Sequence, residues 1–186
     1  MNLYFCMMKQ LIFATNNSNK LKEIRNAILN HEILSLNDLK INEEIPETGI
    51  TLKENALQKA QYIYNKTGMN CFADDTGLEI ATLDNKPGVY SARYAGEQCS
   101  AEDNINKVLL ELKEKDNRKA IFKTVITLIL NKKIYYFDGE VEGIILDKRT
   151  GNGGFGYDPI FKPNGFDISF AEMSIAQKNQ ISHRGI

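Results

Sequence analysis

Two long runs rich in β-branched and aromatic residues constrain the fold of this chain more than any other feature. Residues 119–130 read KAIFKTVITLIL and residues 134–146 read IYYFDGEVEGIIL, with Asn131, Lys132 and Lys133 between them. Such residues favour extended strands, and a connection this short permits antiparallel pairing. We therefore predict that the two runs form a long antiparallel β-hairpin.

The remaining segments alternate between strand and helix patterns. A strand is predicted over residues 11–14, and a helix follows from Leu21, where apolar residues recur at helical spacing. Cys71 to Ala73 is a short strand candidate, which would deliver Asp74 and Asp75 to a turn at Gly77. Capping signatures predict three further helices, near Thr51 with Glu54, near Ser100 with Asp103, and near Ser174 with Gln177. The order of elements predicts one α/β unit with a mixed sheet.

Length and charge exclude several classes of protein. The 186 residues fit one domain, which we place at residues 8–186, with residues 1–7 as an extension outside the fold. With 23 basic and 24 acidic residues the net charge is -1, which offers no basic surface for a nucleic-acid polymer. No run approaches membrane-spanning length, and the three cysteines have no metal or disulfide spacing. A cytoplasmic protein without a membrane partner is expected.

The segment from Thr150 to Pro159, TGNGGFGYDP, has four glycines within six residues around Phe155. Glycine tolerates positive φ and lets the backbone approach a partner closely, which favours a loop that binds a flat ligand. The alternative is a plain tight turn. Composition alone does not decide whether such a ligand is a phosphate or a ring.

The polar loop between the first predicted strand and helix is a second candidate site. It consists of Thr15, Asn16, Asn17, Ser18, Asn19 and Lys20. Backbone amides at a helix N-terminus attract phosphate, and the lysine would add a full charge. The loop has no Walker motif, and the alternative is a capped helix start on the surface.

Three carboxylates, Glu47, Asp74 and Asp75, form a third candidate site. Oxygen ligands of this kind suit Mg²⁺, which usually bridges to the phosphates of a substrate. A carboxylate beside the cation could also serve as a general base. Alternatively, the aspartates form a turn before Gly77 and Glu47 is a solvated loop acid.

The C-terminal residues Lys178, His183 and Arg184 are a fourth candidate set. Their side chains offer hydrogen-bond donors for an oxo group on a base or for phosphate oxygens. The alternative is that they lie on the surface. No nucleophile elbow or Cys/His pair accompanies them, which disfavours covalent catalysis.

Seven blocks cover nearly the whole chain from Leu11 to Gly185 in a fixed order. They read FATNNSNKLKEI, PETGITLKENALQKA, FADDTGLEI, PGVYSARYAG, GFGYDPIF, FAEM and SHRG. Together they resemble the inosine triphosphate pyrophosphatase family, which hydrolyses ITP, dITP and XTP to the monophosphate and pyrophosphate. The resemblance implies an α/β fold of two lobes around a long mixed β-sheet, with a cleft between the lobes, and a homodimer.

The resemblance also implies roles for the matching residues. Residues 15–20 would hold the phosphates, Glu47 and Asp75 would bind Mg²⁺, and Asp75 would accept a proton with support from Asp74. Lys59 and Thr76 would contact the triphosphate or order the acids. The base pocket would be formed by Phe155, Gly156, Tyr157, Asp158, Lys178, His183 and Arg184.

Two alternatives to this assignment stay open. One is a Maf-like pyrophosphatase that acts on pyrimidine or methylated nucleotides, although the blocks GFGYDPIF and SHRG argue against it. The other is a nucleotide-binding module without turnover. That alternative follows from the expectation that family members continue beyond SHRG into a final helix, whose loss would loosen the base-side wall.

Overall fold

The computed structural model describes residues 9–186, so the predicted extension at residues 1–7 lies outside the described residues. The strands are β1 (Lys9–Phe13), β2 (His31–Leu34), β3 (Cys71–Ile80), β4 (Lys86–Gly88), β5 (Lys119–Leu130), β6 (Lys133–Ile145) and β7 (Phe161–Pro163). The helices are α1 (Ser18–Ala27), α2 (Leu52–Thr67), α3 (Ala101–Glu111) and α4 (Ile175–Asn179). Within the described part of the chain, no helix is both long enough and apolar enough to cross a bilayer.

All seven strands belong to one mixed sheet in the order β2-β1-β3-β5-β6-β7, with β4 paired to β3. Strand β1 is parallel to β2 and β3, whereas the other pairs are antiparallel. The predicted hairpin is confirmed, because β5 and β6 pair from Lys119 opposite Ile144 to Leu130 opposite Lys133. Its turn is one residue shorter than predicted, with Asn131 and Lys132 both at positive φ.

The sheet carries two lobes, which have separate hydrophobic cores. In the first lobe, α1 and α2 cover opposite faces of the parallel strands, with cores that include Phe13, Ile24 and Phe72 on one face and Ile12, Ala60 and Ile63 on the other. The second lobe packs α3 and the segments after β6 on the other end of the long strands, around Leu78, Val108, Phe122, Phe161 and Phe170. The predicted α/β fold of two lobes around a long mixed sheet is therefore confirmed.

The helix starts follow the capping signatures. Thr51, Ser100 and Ser174 each cap a helix through a complete capping box. Helix α1 begins earlier than predicted, at Ser18, because the Asn17 side chain accepts hydrogen bonds from the first helical amides. The second half of the predicted phosphate loop is therefore the first turn of a helix.

The predicted turn at Gly77 is wrong, because β3 continues without a break to Ile80. Its pairing with β5 runs from Cys71 opposite Ile129 to Ile80 opposite Ala120. The glycine instead permits close packing, since a Cβ atom at Gly77 would lie 2.6 Å from the carbonyl oxygen of Gly88. Asp74 and Asp75 are therefore strand residues in the middle of β3, and their side chains point to opposite faces of the sheet.

Candidate functional site

A cleft of about 880 Å³ lies between the two lobes. Every predicted site residue except Ser18 and Asp74 lines it. The residues come from distant parts of the chain, namely the start of α1, the loop before α2, the middle of β3, the glycine-rich segment and the C-terminus. The fold thus brings the four predicted candidate sets to one cavity.

The start of α1 forms one wall of the cleft through a tightly hydrogen-bonded loop. Thr15 Oγ1 accepts a hydrogen bond from the Asn17 amide at 3.1 Å, and Asn17 Oδ1 accepts from the amides of Asn19 and Lys20 at 2.9 and 3.2 Å. The positive end of the helix dipole faces the cavity from this wall. This arrangement suits an anion.

Asp74 is the buried anchor of this wall, with 1 % of its surface exposed. It contacts Lys20 Nζ at 3.1 Å and accepts hydrogen bonds from Arg184 Nε at 2.9 Å and Thr76 Oγ1 at 3.1 Å. Burial alone would raise its pKa, but Lys20 and Arg184 outweigh burial and hold the pKa well below its usual range. Asp74 therefore stays charged and fixes two cations.

Asp75 faces the other side of the sheet, where α2 supplies its partners. Asn55 Nδ2 donates to Asp75 Oδ2 at 3.1 Å, and Lys59 Nζ lies 3.4 Å from Asp75 Oδ1 while also contacting Glu47. Burial raises the pKa of Asp75, and Lys59 only partly offsets that effect. A carboxylate with a raised pKa and access to the cleft is suited to accept a proton.

Glu47 and Asp75 are the two carboxylates predicted to hold a divalent cation. Glu47 and Asp75 converge on the same ammonium group of Lys59, so two carboxylates already share one positive charge. No three His, Cys, Asp or Glu side chains within residues 9–186 gather around a common point. Two carboxylates open to the cavity fit Mg²⁺, which often takes its other ligands from water and substrate phosphates.

A buried network of alternating charges continues from Arg184 along the same wall of the cleft. Lys178 Nζ lies 2.7 Å from Glu23 Oε1 and 2.5 Å from Asp158 Oδ2. Arg184 also contacts Glu23, on its second carboxylate oxygen. All four side chains are at most 5 % exposed. The lysine and arginine groups are therefore held at fixed positions along the cavity wall.

Phe155 lies over these cations, with Lys178 Nζ 4.7 Å and Arg184 Cζ 5.9 Å from the centre of its ring. The glycines around it serve internal packing. A Cβ atom at Gly154, where φ is +68°, would lie 2.3 Å from Asp158 Oδ2, and one at Gly151 would meet the backbone of Ala171. Gly151 and Gly154 thus make room for neighbouring protein groups, whereas Gly156, at φ +57°, lines the cleft with nothing within 4 Å of a Cβ position. That the segment binds a ligand stays a prediction.

His183 lines the cleft beside Arg184 as a neutral ring. It is 3 % exposed and stacks on Phe122 with ring centres 4.8 Å apart. Burial and the neighbouring cations of Arg184 and Lys178 lower its pKa well below the usual value. Its Nδ1 atom has no hydrogen-bond partner among the described residues. The surface location considered for this residue is wrong, because the ring is buried in the wall of the cleft.

Comparison with known proteins identifies the family. A sequence model of the Ham1 family matches residues 11–186. The chain belongs to the Ham1 family. It is 56 % identical to the dITP/XTP pyrophosphatase of Christiangramia forsetii, over 95 % of this chain and 94 % of that one. It is 51 % identical to the protein of the same name from Porphyromonas gingivalis, over 96 % of this chain and 93 % of that one.

Solved structures of Ham1 proteins have the same fold. A HAM1 protein from Coxiella burnetii superimposes with a TM-score of 0.85 at 38 % identity, covering 96 % of this chain and 93 % of that one. The Ham1 protein of Staphylococcus aureus gives a TM-score of 0.83 at 38 % identity, covering 95 % and 92 %. The predicted family resemblance is thereby confirmed.

Two buried residues at this site, Glu23 and Asn55, were not predicted from the sequence. Glu23 follows Lys20 by three positions and Asn55 precedes Lys59 by four, so each lies on the same helix face as a predicted site residue. Both are almost fully buried, with exposed fractions of 4 and 1 %. The helical spacing could have predicted both residues, because a polar residue three or four positions from a cleft lysine lies on the same helix face and can contact the same site.

Proposed function

We propose that this chain is a Mg²⁺-dependent pyrophosphatase that hydrolyses the non-standard purine nucleotides ITP, dITP and XTP to the monophosphate and pyrophosphate. The observation that carries the proposal is that one cleft combines two sets of groups. The set suited to phosphates has the α1 N-terminus, Lys20 and the acids Glu47 and Asp75. The set suited to a base has an aromatic ring and fixed hydrogen-bond donors, and it adjoins the first set through Asp74. The name of the Ham1 relatives, dITP/XTP pyrophosphatase, supports action on dITP and XTP.

Within the set suited to phosphates, Asp75 orients a water molecule and takes its proton as the water oxygen attacks the α-phosphorus. The new P–O bond forms while the bond to the β-phosphate breaks, and pyrophosphate leaves. Glu47 and Asp75 would hold Mg²⁺, which when bound offsets the negative charge of the phosphate oxygens. Lys20 and the α1 amides position the triphosphate, so positioning and electrostatics supply most of the rate.

Within the set suited to a base, Phe155 stacks on the purine ring, which is a contact tolerant of base identity. Selection therefore depends on hydrogen bonds. The side chains of Lys178 and Arg184 can only donate hydrogen bonds, and the 6-oxo group of hypoxanthine or xanthine can accept one. The 6-amino group of adenine would turn a donor toward these donors, and such a buried mismatch rejects a substrate strongly. Guanine also has a 6-oxo group, so its rejection must depend on position 2.

The proposal extends to the biological setting. Removal of deaminated purine triphosphates would keep them out of DNA and RNA. A cytoplasmic location is supported by the free thiols of Cys71 and Cys99. A homodimer is supported by exposed apolar side chains along the start of β6, at residues 134–137. Sedimentation of the purified chain tests the dimer directly.

The decisive experiment measures pyrophosphate release from ITP, dITP, XTP, GTP, dATP and dTTP, with and without Mg²⁺. We expect turnover of the first three with Mg²⁺, and rates on dATP and dTTP lower by at least about a hundredfold. Equal rates on all six would remove the selection argued from Lys178 and Arg184. Preference for dTTP would favour the Maf-like alternative, and tight ITP binding without product would favour a binding module.

A further inference from the structure

Four of the five Lys and Arg side chains that line the cleft are already paired with carboxylates. Lys20 contacts Asp74, Lys59 contacts Glu47 and Asp75, Lys178 contacts Glu23 and Asp158, and Arg184 contacts Asp74 and Glu23. Their charge is largely balanced before any substrate arrives. A triphosphate brings more negative charge into this cavity than one Mg²⁺ ion balances, so a cation that is not already paired would stabilise it further.

Arg93 is the fifth cation of the cleft, and its charge is not balanced in this way. Its ion-pair partner is Glu97, at 3.8 Å, and the Glu97 side chain is 87 % exposed. A solvated pair at that distance contributes little. The guanidinium also lies 5.3 Å from the centre of the Tyr90 ring, which leaves its donors open. Arg93 can therefore turn to an anion at little cost.

The backbone next to Arg93 is fixed to β3, the strand that carries Asp75. Ser91 Oγ donates to the Gly88 carbonyl oxygen at 2.6 Å and accepts from the Leu78 amide, three positions along β3 from Asp75, at 2.8 Å. The same Ser91 is tied to the glycine-rich segment, because Tyr157 OH donates to its carbonyl oxygen at 2.9 Å. The segment that carries Arg93 is thus held against both β3, which carries Asp75, and the glycine-rich segment, which carries Tyr157.

We propose that Arg93 is a substrate-binding residue, which contacts the phosphate tail of the nucleotide from the second lobe, opposite Lys20. The inference rests on the proposed function only in taking the substrate to be a nucleoside triphosphate. Arginine is suited to this contact because its planar group can bind two phosphate oxygens at once. The tail is then held from both lobes, with Lys20 on one and Arg93 on the other.

The test compares Arg93→Gln and Arg93→Lys with the wild type in the hydrolysis of ITP with Mg²⁺. We expect Arg93→Gln to raise KM for ITP by about tenfold to a hundredfold, the range for a lost charge-assisted hydrogen bond. Arg93→Lys should recover part of the loss. Competitive inhibition by inosine, which has no phosphate, should be unchanged. Lys107→Gln removes a charge from α3 in the same lobe outside the cleft, and should change neither constant.

An unchanged KM for ITP in Arg93→Gln would overturn the proposal. So would an equal loss of affinity for ITP and inosine, because that would place Arg93 at the base or in the folding of the lobe. If the wild type does not hydrolyse ITP, the proposed function fails by itself. Arg93 is then tested by calorimetric binding of inorganic tripolyphosphate, which needs no base and should weaken in Arg93→Gln but not in Lys107→Gln.

Discussion

Replacement of Glu23 by glutamine tests how the cleft cations Lys178 and Arg184 are held. The Glu23 carboxylate is 4 % exposed and bridges two cations, Lys178 on one oxygen and Arg184 on the other. Glutamine has nearly the same shape but no charge, and one of its two polar ends donates instead of accepting. In Glu23→Gln that end turns a donor toward either Lys178 or Arg184.

The expected loss of stability follows from these contacts. A hydrogen bond to a charged group contributes about 1.5–3 kcal/mol, and the substitution loses one such bond and weakens the other. Breaking a buried pair by changing one partner costs about 3–5 kcal/mol. Lys178 keeps Asp158 and Arg184 keeps Asp74 as partners, which places the effect at the lower end. We expect the free energy of unfolding to fall by about 3 kcal/mol.

Urea denaturation measures this loss. With an m value of about 2 kcal/mol/M, the midpoint should fall by about 1.5 M in Glu23→Gln. Glu32→Gln is the matched control, because Glu32 is exposed and bonds only Gln10 among the described residues. It should shift the midpoint by less than about 0.3 M. A Glu23→Gln midpoint within that limit would refute the conclusion that Glu23 fixes the two cations.

Three further predictions concern the cleft. Asp75→Asn should keep ITP affinity in a direct binding assay but lose at least about a hundredfold in kcat, and unchanged turnover would remove Asp75 as the proton acceptor. Phe155→Ala should raise KM for ITP by about 5- to 150-fold, equivalent to about 1–3 kcal/mol of stacking. Phe166→Ala, which removes an exposed ring, should leave KM unchanged. A lost kcat with unchanged KM in Phe155→Ala would contradict the stacking role. Because the pKa of His183 is lowered on folding, its contribution to stability is present above about pH 6.5 and is lost as pH falls toward the folded pKa. Between pH 7.5 and 5, the free energy of unfolding should therefore fall more steeply in the wild type than in His183→Gln, by up to about 1.4 kcal/mol per pH unit. Parallel curves for the two proteins would refute the neutral buried ring.

The parts of the fold that sequence could predict are those set by local chemistry. The hairpin of β5 and β6 followed from its β-branched composition, and the helix starts at Thr51, Ser100 and Ser174 followed from capping spacing. The short strands β2, β4 and β7 have three or four residues each, and their pairing depends on neighbours that are distant in sequence. Such strands carry too little local signal to predict.

The turn predicted at Gly77 was wrong because pairing between distant segments decides the structure there. A glycine after two aspartates is typical of a turn, because aspartate and glycine both favour turn conformations. In the structure the long partner β5 pairs with β3 on both sides of this position, and the missing side chain makes room for the Gly88 carbonyl group. Packing between segments that are distant in the chain overrode the local preference. Gly151 and Gly154 of the glycine-rich segment show the same effect, since they accommodate Ala171 and Asp158.

The continuity of β3 explains how two adjacent aspartates can do different work. Side chains alternate along a strand, so Asp74 faces α1 and meets Lys20 and Arg184, whereas Asp75 faces α2 and meets Asn55 and Lys59. The first environment lowers the pKa of its carboxyl and the second raises it. In a turn at Gly77 the two groups would share one solvated environment, and neither difference would arise. The separation of a fixed charge from a carboxyl group with a raised pKa is thus a consequence of the strand itself, and it requires that β3 run unbroken between the two lobes.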